Sequence, residues 1–79
     1  MKICIYDKIG DNYLQICCVD SAKRLLAAAR YYSQYYFCGN KVIKYIHDDG
    51  TSFEESFVHY AEFQGLPLRI RRKEEDYGQ

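Results

Sequence analysis

The stretch that decides the fold is DSAKRLLAAARYYSQYYFCGN, residues 20–40. Alanine and leucine, both strong helix formers, dominate its first half. Asp20 or Ser21 can cap the start by accepting hydrogen bonds from the first free backbone amides. The Gly-Asn pair at its end suits a left-handed C-terminal cap. The pattern therefore predicts one long helix over Ser21–Cys38.

The residue spacing along this helix separates three faces. At 100° per residue, one arc collects the side chains predicted to face a sheet: Leu25, Leu26, Ala29, Tyr32, Ser33 and Tyr36. The opposite, solvated face carries Lys23, Arg30 and Gln34. A flank between them carries Arg24, Tyr31 and Tyr35 beside small alanines. Tyrosine and arginine are enriched at protein–protein hot spots, so this flank is predicted either to bind a partner or to be covered by the chain itself.

The segments around the helix predict strands. KICIY (Lys2–Tyr6) and YLQICCV (Tyr13–Val19) are rich in β formers and are joined by the turn residues 7–12, which predicts an N-terminal hairpin. In the second strand, Leu14, Ile16 and Cys18 are expected on one side and Tyr13, Gln15 and Cys17 on the other. KVIKYIH (Lys41–His47) predicts a third strand that runs into an Asp-Asp-Gly turn.

Residues 52–64 fit two interpretations. With a period of two they form a strand whose apolar face is interrupted by Glu55. With a period of 3.6 they form a helix whose face is Phe53, Phe57, Tyr60, Ala61 and Gln64. Ser52 and Glu55 match a capping box, and Gly65 and Pro67 supply a stop, so the helix is favoured over the long strand.

The last predicted strand is basic and reads LPLRIRRK (Leu66–Lys73). Arg69, Arg71 and Lys73 point outward, and Arg72 lies at its end. Residues 74–79 lack periodicity and are expected to be a flexible tail. The predicted architecture is a single α+β domain over residues 1–73, with a small antiparallel or mixed sheet, element order β-β-α-β-(α or β)-β, and one long helix packed on one face.

Composition limits the classes of function. Eleven basic and eleven acidic residues give a net charge of zero, which disfavours a whole-domain nucleic-acid binder. No apolar run is long enough to span a membrane, and the N-terminus lacks a signal-peptide core. We therefore expect a cytoplasmic protein without a membrane partner.

Cysteine and histidine usage predicts neither a metal site nor a cofactor. The four cysteines, Cys4, Cys17, Cys18 and Cys38, are expected to be reduced and to act as small apolar residues. No Cys-x-x-Cys pair occurs, and the histidines lack a metal-ligand spacing.

No catalytic signature stands out in the sequence. Cys38 and His47 are the sole candidate pair of nucleophile and base, but a helix C-terminus disfavours a thiolate. No glycine-rich phosphate loop is present, because the isolated glycines suit turns and caps. The prediction is a protein that is not an enzyme.

The basic strand has two interpretations. Its arginines and lysine, with Lys44 on a neighbouring strand, could meet phosphates or an acidic protein surface. Alternatively, the charges protect a sheet edge from aggregation. Tyr13 and Tyr45 are the plausible rings for stacking nucleic-acid bases beside it.

The hairpin, DSAKRLLAAA, the Gly-Asn pair, VIKYIHDDGT and the basic last strand together resemble small phage or mobile-element accessory proteins. Within that group the chain is most similar to compact α+β anti-CRISPR proteins. The resemblance implies an inhibitor that occupies a protein or nucleic-acid-binding surface of a bacterial defence complex, in the host cytosol if phage-encoded. The alternatives are a small nucleic-acid-binding module that uses the basic strand and a structural homodimer that buries the tyrosine flank.

Overall fold

The computed structural model describes residues 1–68. Its elements are β1 (Lys2–Ile9), β2 (Asn12–Val19), α1 (Ala22–Tyr35), β3 (Lys41–Ile46), β4 (Ser52–Ser56) and α2 (Phe57–Gln64). The four strands form one antiparallel sheet in the order β2-β1-β3-β4, which confirms the α+β class. The predicted basic positions Arg69, Arg71, Arg72 and Lys73, and the predicted tail, lie outside the described residues.

Strand β1 is central and sets the register of the sheet. Ile5 lies opposite Cys17 of β2 and opposite Ile43 of β3. The register then shifts between Ile5 and Tyr6, so that Ile16 is an extra residue in β2. Such a bulge reverses the alternation of the bulged strand. The regular alternation predicted for β2 is therefore wrong, and Ile16 and Cys17 both pack against the core.

The core lies between the sheet and the two helices. Its buried side chains are Ile3, Ile5, Leu25, Ala29, Cys38, Ile43, Phe57, Tyr60 and Ala61. Leu25, Ala29 and Ser33 are the buried residues of α1, as the helical spacing predicts. Tyr32 is half-buried against this core. Burial of one apolar stripe thus holds α1 on the sheet.

The end of α1 differs from the prediction. The helix ends at Tyr35, and Tyr36 has extended backbone with φ −133° and ψ 153°. Its amide donates to the Tyr32 carbonyl at 3.1 Å, and the Cys38 thiol lies 3.5 Å from the same oxygen. Polar groups after the helix therefore satisfy its last turn, so no left-handed cap forms. Tyr36 leaves the sheet-facing arc and is 46% exposed, which corrects its predicted place in the core.

Gly39 instead lies in close contact with the ring of Phe37. A Cβ atom at this position would lie 2.5 Å from the ring of Phe37, a distance that forces a shift. Lys41, which is buried, donates to the Phe37 carbonyl at 3.0 Å and to the Asp7 carboxylate at 2.9 Å. The segment between α1 and β3 is therefore tied to β1 by a paired, buried charge.

Residues 52–64 contain both predicted structures in succession. The first five form β4, and the next eight form α2. Ser56 caps this helix by accepting from the His59 amide at 3.3 Å, so the capping box predicted at Ser52 is wrong. Gly65 closes α2 with a left-handed conformation, φ 73°. The predicted helical face is correct where Phe57, Tyr60 and Ala61 are buried.

Two of the four cysteines are joined. Cys4 and Cys18 are direct partners across β1 and β2, with their Cα atoms 4.0 Å apart, and they form a disulfide. Cys17 and Cys38 remain free thiols. The prediction of four reduced cysteines is therefore wrong, because the hairpin register aligns a pair that spacing alone does not reveal.

Candidate protein-binding surface

The predicted flank of α1 is exposed. Tyr31 is 50% exposed and Tyr35 is 58% exposed, and Arg24 also lies on the surface. No segment within residues 1–68 covers these two rings. Within residues 1–68 both tyrosines are therefore accessible, as the partner-binding interpretation requires.

Four tyrosines at the end of α1 form one group of rings in contact with one another. We call this group the tyrosine cluster, and its members are Tyr31, Tyr32, Tyr35 and Tyr36. The ring of Tyr31 lies 5.3 Å from that of Tyr32, 5.2 Å from that of Tyr35 and 5.9 Å from that of Tyr36. Rings at these separations attract one another and hold their orientations. Because the helix stops at Tyr35, the extended backbone of Tyr36 brings a fourth ring to the group.

Two hydroxyl groups of the cluster, those of Tyr31 and Tyr32, have raised pKa values. The hydrogen bond of Tyr31 with Tyr36 raises the pKa of the Tyr31 hydroxyl. Burial raises the pKa of Tyr32, with a further contribution from its neighbour Cys17. These two hydroxyls are therefore polar, uncharged tips of the cluster, and the contact with Cys17 places Tyr32 beside β2.

Arg24 does not touch the tyrosine cluster. It precedes Tyr31 by seven residues, which is about 10 Å along a helix. Its guanidinium pairs with Asp20 at 3.8 Å across an exposed surface. It also lines a shallow cleft of about 310 Å³ with Lys2 and Val19. Arg24 therefore lies on the same helix flank, but at its other end.

The rings predicted to stack on nucleic-acid bases lie on opposite faces of the sheet. Tyr45 packs against the core on the helical side. Tyr13 lies on the other side, where the ammonium groups of Lys8 and Lys44 lie 5.6 Å and 5.7 Å from its ring centre. Its hydroxyl donates to Glu54 at 3.3 Å. The two rings cannot form one platform.

The candidate nucleophile and base are also far apart. Strand β3, of six residues, runs between Cys38 and His47, and its ends are separated by roughly 17 Å. Burial raises the pKa of Cys38, which disfavours a reactive thiolate. Within residues 1–68, no group of three His, Cys, Asp or Glu side chains is placed to hold a metal ion. Neither described helix is long and apolar enough to cross a membrane.

Sequence reasoning missed a second aromatic group at the other end of the helical layer. Glu55 was expected to cap a helix, but it lies in β4 on the same side as Phe53. Tyr45 donates a short hydrogen bond to its carboxylate. The available signal was the period-two pattern, in which one acidic residue interrupts an otherwise aromatic face.

Comparison with known family models, with characterised proteins and with solved structures finds no match to this chain.

Proposed function

We propose that this chain is a non-enzymatic binding protein that recognises another protein through the tyrosine cluster. The observation that carries the proposal is the mutual contact of four rings, three of which are about half exposed. Rings already fixed by one another lose little conformational freedom on binding, which favours affinity. Tyrosine also combines a large apolar body with a hydroxyl that can replace lost water contacts.

The resemblance to compact anti-CRISPR proteins supplies the proposed class of partner, a bacterial defence complex. Inhibition by occupation of a surface needs no catalytic group. It needs a rigid contact area that competes with the natural ligand of the complex. Arg24, at the far end of the same flank, extends this area with a charge that can pair with an acidic partner residue.

The test measures target cleavage by a panel of purified CRISPR effector complexes at increasing concentrations of the protein. We expect one effector to be inhibited, and we expect Tyr31→Ala with Tyr35→Ala to weaken inhibition at least about tenfold, since central aromatic residues dominate interfaces. Tyr13→Ala is the matched control, because it removes a surface tyrosine from the opposite sheet face. It should inhibit as the unmodified protein does.

Three results would count against the proposal. Unchanged inhibition by the double variant would place the contact surface elsewhere. Unfolding of the double variant would show that both rings are core residues. No inhibition of any effector would remove the inhibitor class, and sedimentation equilibrium would then decide whether the cluster joins two copies of the chain.

The nucleic-acid-binding alternative stays a prediction, because its arginines lie outside the described residues. One observation favours it: Lys8 and Lys44 flank Tyr13 on the helix-free face of the sheet. Binding to a single-stranded oligonucleotide should then weaken steeply with salt as counterions are released. Absence of binding at low salt would exclude it.

A further inference from the structure

A second cleft opens on the helical side of the sheet, between α2 and the outer strand β4. Its volume is about 360 Å³, and its lining residues are Tyr45, Glu55, His59, Tyr60, Phe63 and Gln64. It adjoins a cleft of about 420 Å³ between the two helices, with which it shares Tyr45, Tyr60 and Gln64. It does not involve the tyrosine cluster.

Aromatic rings form the walls of this cleft. Tyr60 is almost completely buried at its base, whereas Phe63 is 83% exposed at its rim. Tyr45 stacks on Phe53, with ring centres 4.7 Å apart and planes 15° from parallel. A phenylalanine that exposed does not contribute to the core, and here it adds an accessible ring to the mouth of an aromatic cleft.

One carboxylate lies among these rings. Glu55 is half-buried, and it accepts a hydrogen bond from the Tyr45 hydroxyl. Among the described residues it has no lysine, arginine or histidine within ion-pair distance. Its neighbour Glu54 points to the other face, towards Tyr13. Glu55 is therefore a negative charge in an aromatic cleft, without a positive partner in this part of the chain.

The charge of Glu55 acts on the surrounding rings. Burial raises the pKa of Tyr45, and its hydrogen bond to Glu55 raises it further. Burial also raises the pKa of Tyr60, with the Glu55 charge as the second cause. The same field that disfavours a phenolate favours a cation placed between the rings. Aromatic faces add their own attraction for a cation.

The geometry points to a binding site for a methylated ammonium group, either a trimethylated lysine side chain of a partner protein or a small quaternary amine. An unmodified lysine ammonium is strongly hydrated and has three donors to satisfy. The cleft offers it one carboxylate and mostly carbon surface, so much of its lost hydration stays unreplaced. A quaternary ammonium has no donor to satisfy, and its methyl groups suit ring faces.

The chain itself contains competing cations. Leu66 and Leu68 pack against the core, and Arg69 follows them directly. A guanidinium from residues 69–73 is therefore an alternative occupant. The experiment must separate this arrangement from binding of an external ligand.

The test is a titration of the full chain, followed by ¹H–¹⁵N correlation spectra at constant ionic strength. The probes are tetramethylammonium, Nα-acetyl-trimethyllysine amide and the unmethylated lysine analogue. We expect saturable shifts at Glu55, Tyr60 and Phe63, and at least about fivefold tighter binding of trimethyllysine than of lysine, as cation–π recognition of quaternary ammonium implies. Tighter binding of trimethyllysine than of tetramethylammonium would favour a protein partner, and equal binding a small amine.

Two isosteric variants distinguish the site from general electrostatics. Glu55→Gln keeps an acceptor for Tyr45 but removes the charge, and it should weaken binding of trimethyllysine at least about tenfold. Glu54→Gln removes a charge from the adjacent position on the opposite face, and it should leave binding unchanged.

The proposal is overturned by any of three results. These are the absence of saturable shifts, equal binding of lysine and trimethyllysine, and an equal loss in both glutamine variants. A third variant, Arg69→Gln with Arg71→Gln, addresses the internal competitor. Binding that occurs in this variant alone would show that the cleft normally holds a guanidinium of its own chain. These outcomes leave the inhibition assay of the tyrosine cluster unaffected.

Discussion

The tyrosine cluster and the Glu55 cleft are both aromatic groups on the helical side of one sheet, but they differ at their centres. In the cluster, four rings meet with hydroxyl groups between them. In the cleft, the rings surround a carboxylate that accepts from Tyr45. Aromatic density alone therefore does not define a function. The polar group between the rings is what separates the two proposals, a protein contact for the cluster and a cation site for the cleft.

The tyrosine cluster and the Glu55 cleft also lie on different elements of the fold. The cluster extends from the end of α1 towards β2, where Tyr32 neighbours Cys17. The cleft is built on β3, β4 and α2. Since the cluster lies on α1 and adjoins β2, whereas the cleft lies on β3, β4 and α2, variants should affect one region more than the other.

The largest expected effect distinguishes the buried Phe57 of α2 from the exposed Phe63 of the same helix. Phe57 is completely buried, and Phe57→Ala should lower the free energy of unfolding by about 3–5 kcal/mol because it leaves a cavity. Phe63→Ala, six residues later on the same helix, should change it by less than about 0.5 kcal/mol. Urea denaturation of both variants measures the difference. Similar losses would mean that Phe63 is part of the core and unavailable to a ligand.

The next effect concerns the hairpin beside the tyrosine cluster. Replacing both Cys4 and Cys18 with alanine should lower the free energy of unfolding by about 3 kcal/mol, as expected for a closed loop of this length. Cys17→Ala, which removes a free thiol of the same strand, should cost less. Hydrogen exchange should show the greater loss of protection in β1 and β2. Equal loss in β4 would contradict the separation of the two hairpins.

A smaller effect tests the hydrogen bond inside the cleft. Tyr45→Phe removes the donor to Glu55 and should cost about 1–2 kcal/mol at neutral pH, whereas Tyr35→Phe should be neutral.

The hydroxyl group of Tyr45 also makes the stability of the fold depend on pH, in a direction that follows from its pKa. The pKa of Tyr45 is raised in the folded state, so the folded protein holds this proton more tightly than the unfolded chain does. Its contribution to stability is complete below the ordinary tyrosine pKa of about 10 and is lost as the pH rises above it. Stability measured between pH 9 and 11, about this value, should fall less steeply in Tyr45→Phe. An identical slope would show that Tyr45 does not contribute.

The smallest effect is expected at the tyrosine cluster. Tyr31→Phe with Tyr35→Phe keeps the ring contacts and removes two exposed hydroxyls, so the change in the free energy of unfolding should stay within about 0.5 kcal/mol. Inhibition should also change little if ring area dominates binding. A large loss of inhibition would instead assign the affinity to the hydroxyl groups.

The sequence alone predicts which face of α1 packs on the sheet, because the stripe of Leu25, Ala29 and Ser33 is a local pattern. The end of this helix is not predictable in the same way. It depends on Cys38 and Lys41, which satisfy carbonyl groups after the chain has turned. Local propensity favours the Gly-Asn pair, but tertiary contacts override it.

The cleft could not be predicted from the sequence, because residues 52–64 follow two periodicities. The period of two applies to the first part, and the period of 3.6 applies to the second. Glu55 fits a helix cap when the segment is taken as a whole. Because residues 52–56 form a strand instead, Glu55 is a half-buried carboxylate of the sheet. The disulfide could not be predicted for a related reason. The pairing of Cys4 with Cys18 depends on the register of the hairpin, and the bulge at Ile16 shifts that register nearby. Local spacing places Tyr31 and Tyr35 on a flank of α1, but it does not decide whether the chain covers them; no segment within residues 1–68 does so.

The strand order β2-β1-β3-β4 has a consequence for the speed and order of folding. Two of the three strand pairings join neighbours in sequence across short turns, and hairpins of this kind form in microseconds. The pairing of β1 with β3, where Ile5 meets Ile43, spans the whole of α1 and closes a much longer loop. Docking of the two hairpins is therefore expected to limit the folding rate. Tyr45, Phe53 and Glu55 would then come together with the hairpin of β3 and β4, and the shared core would form last.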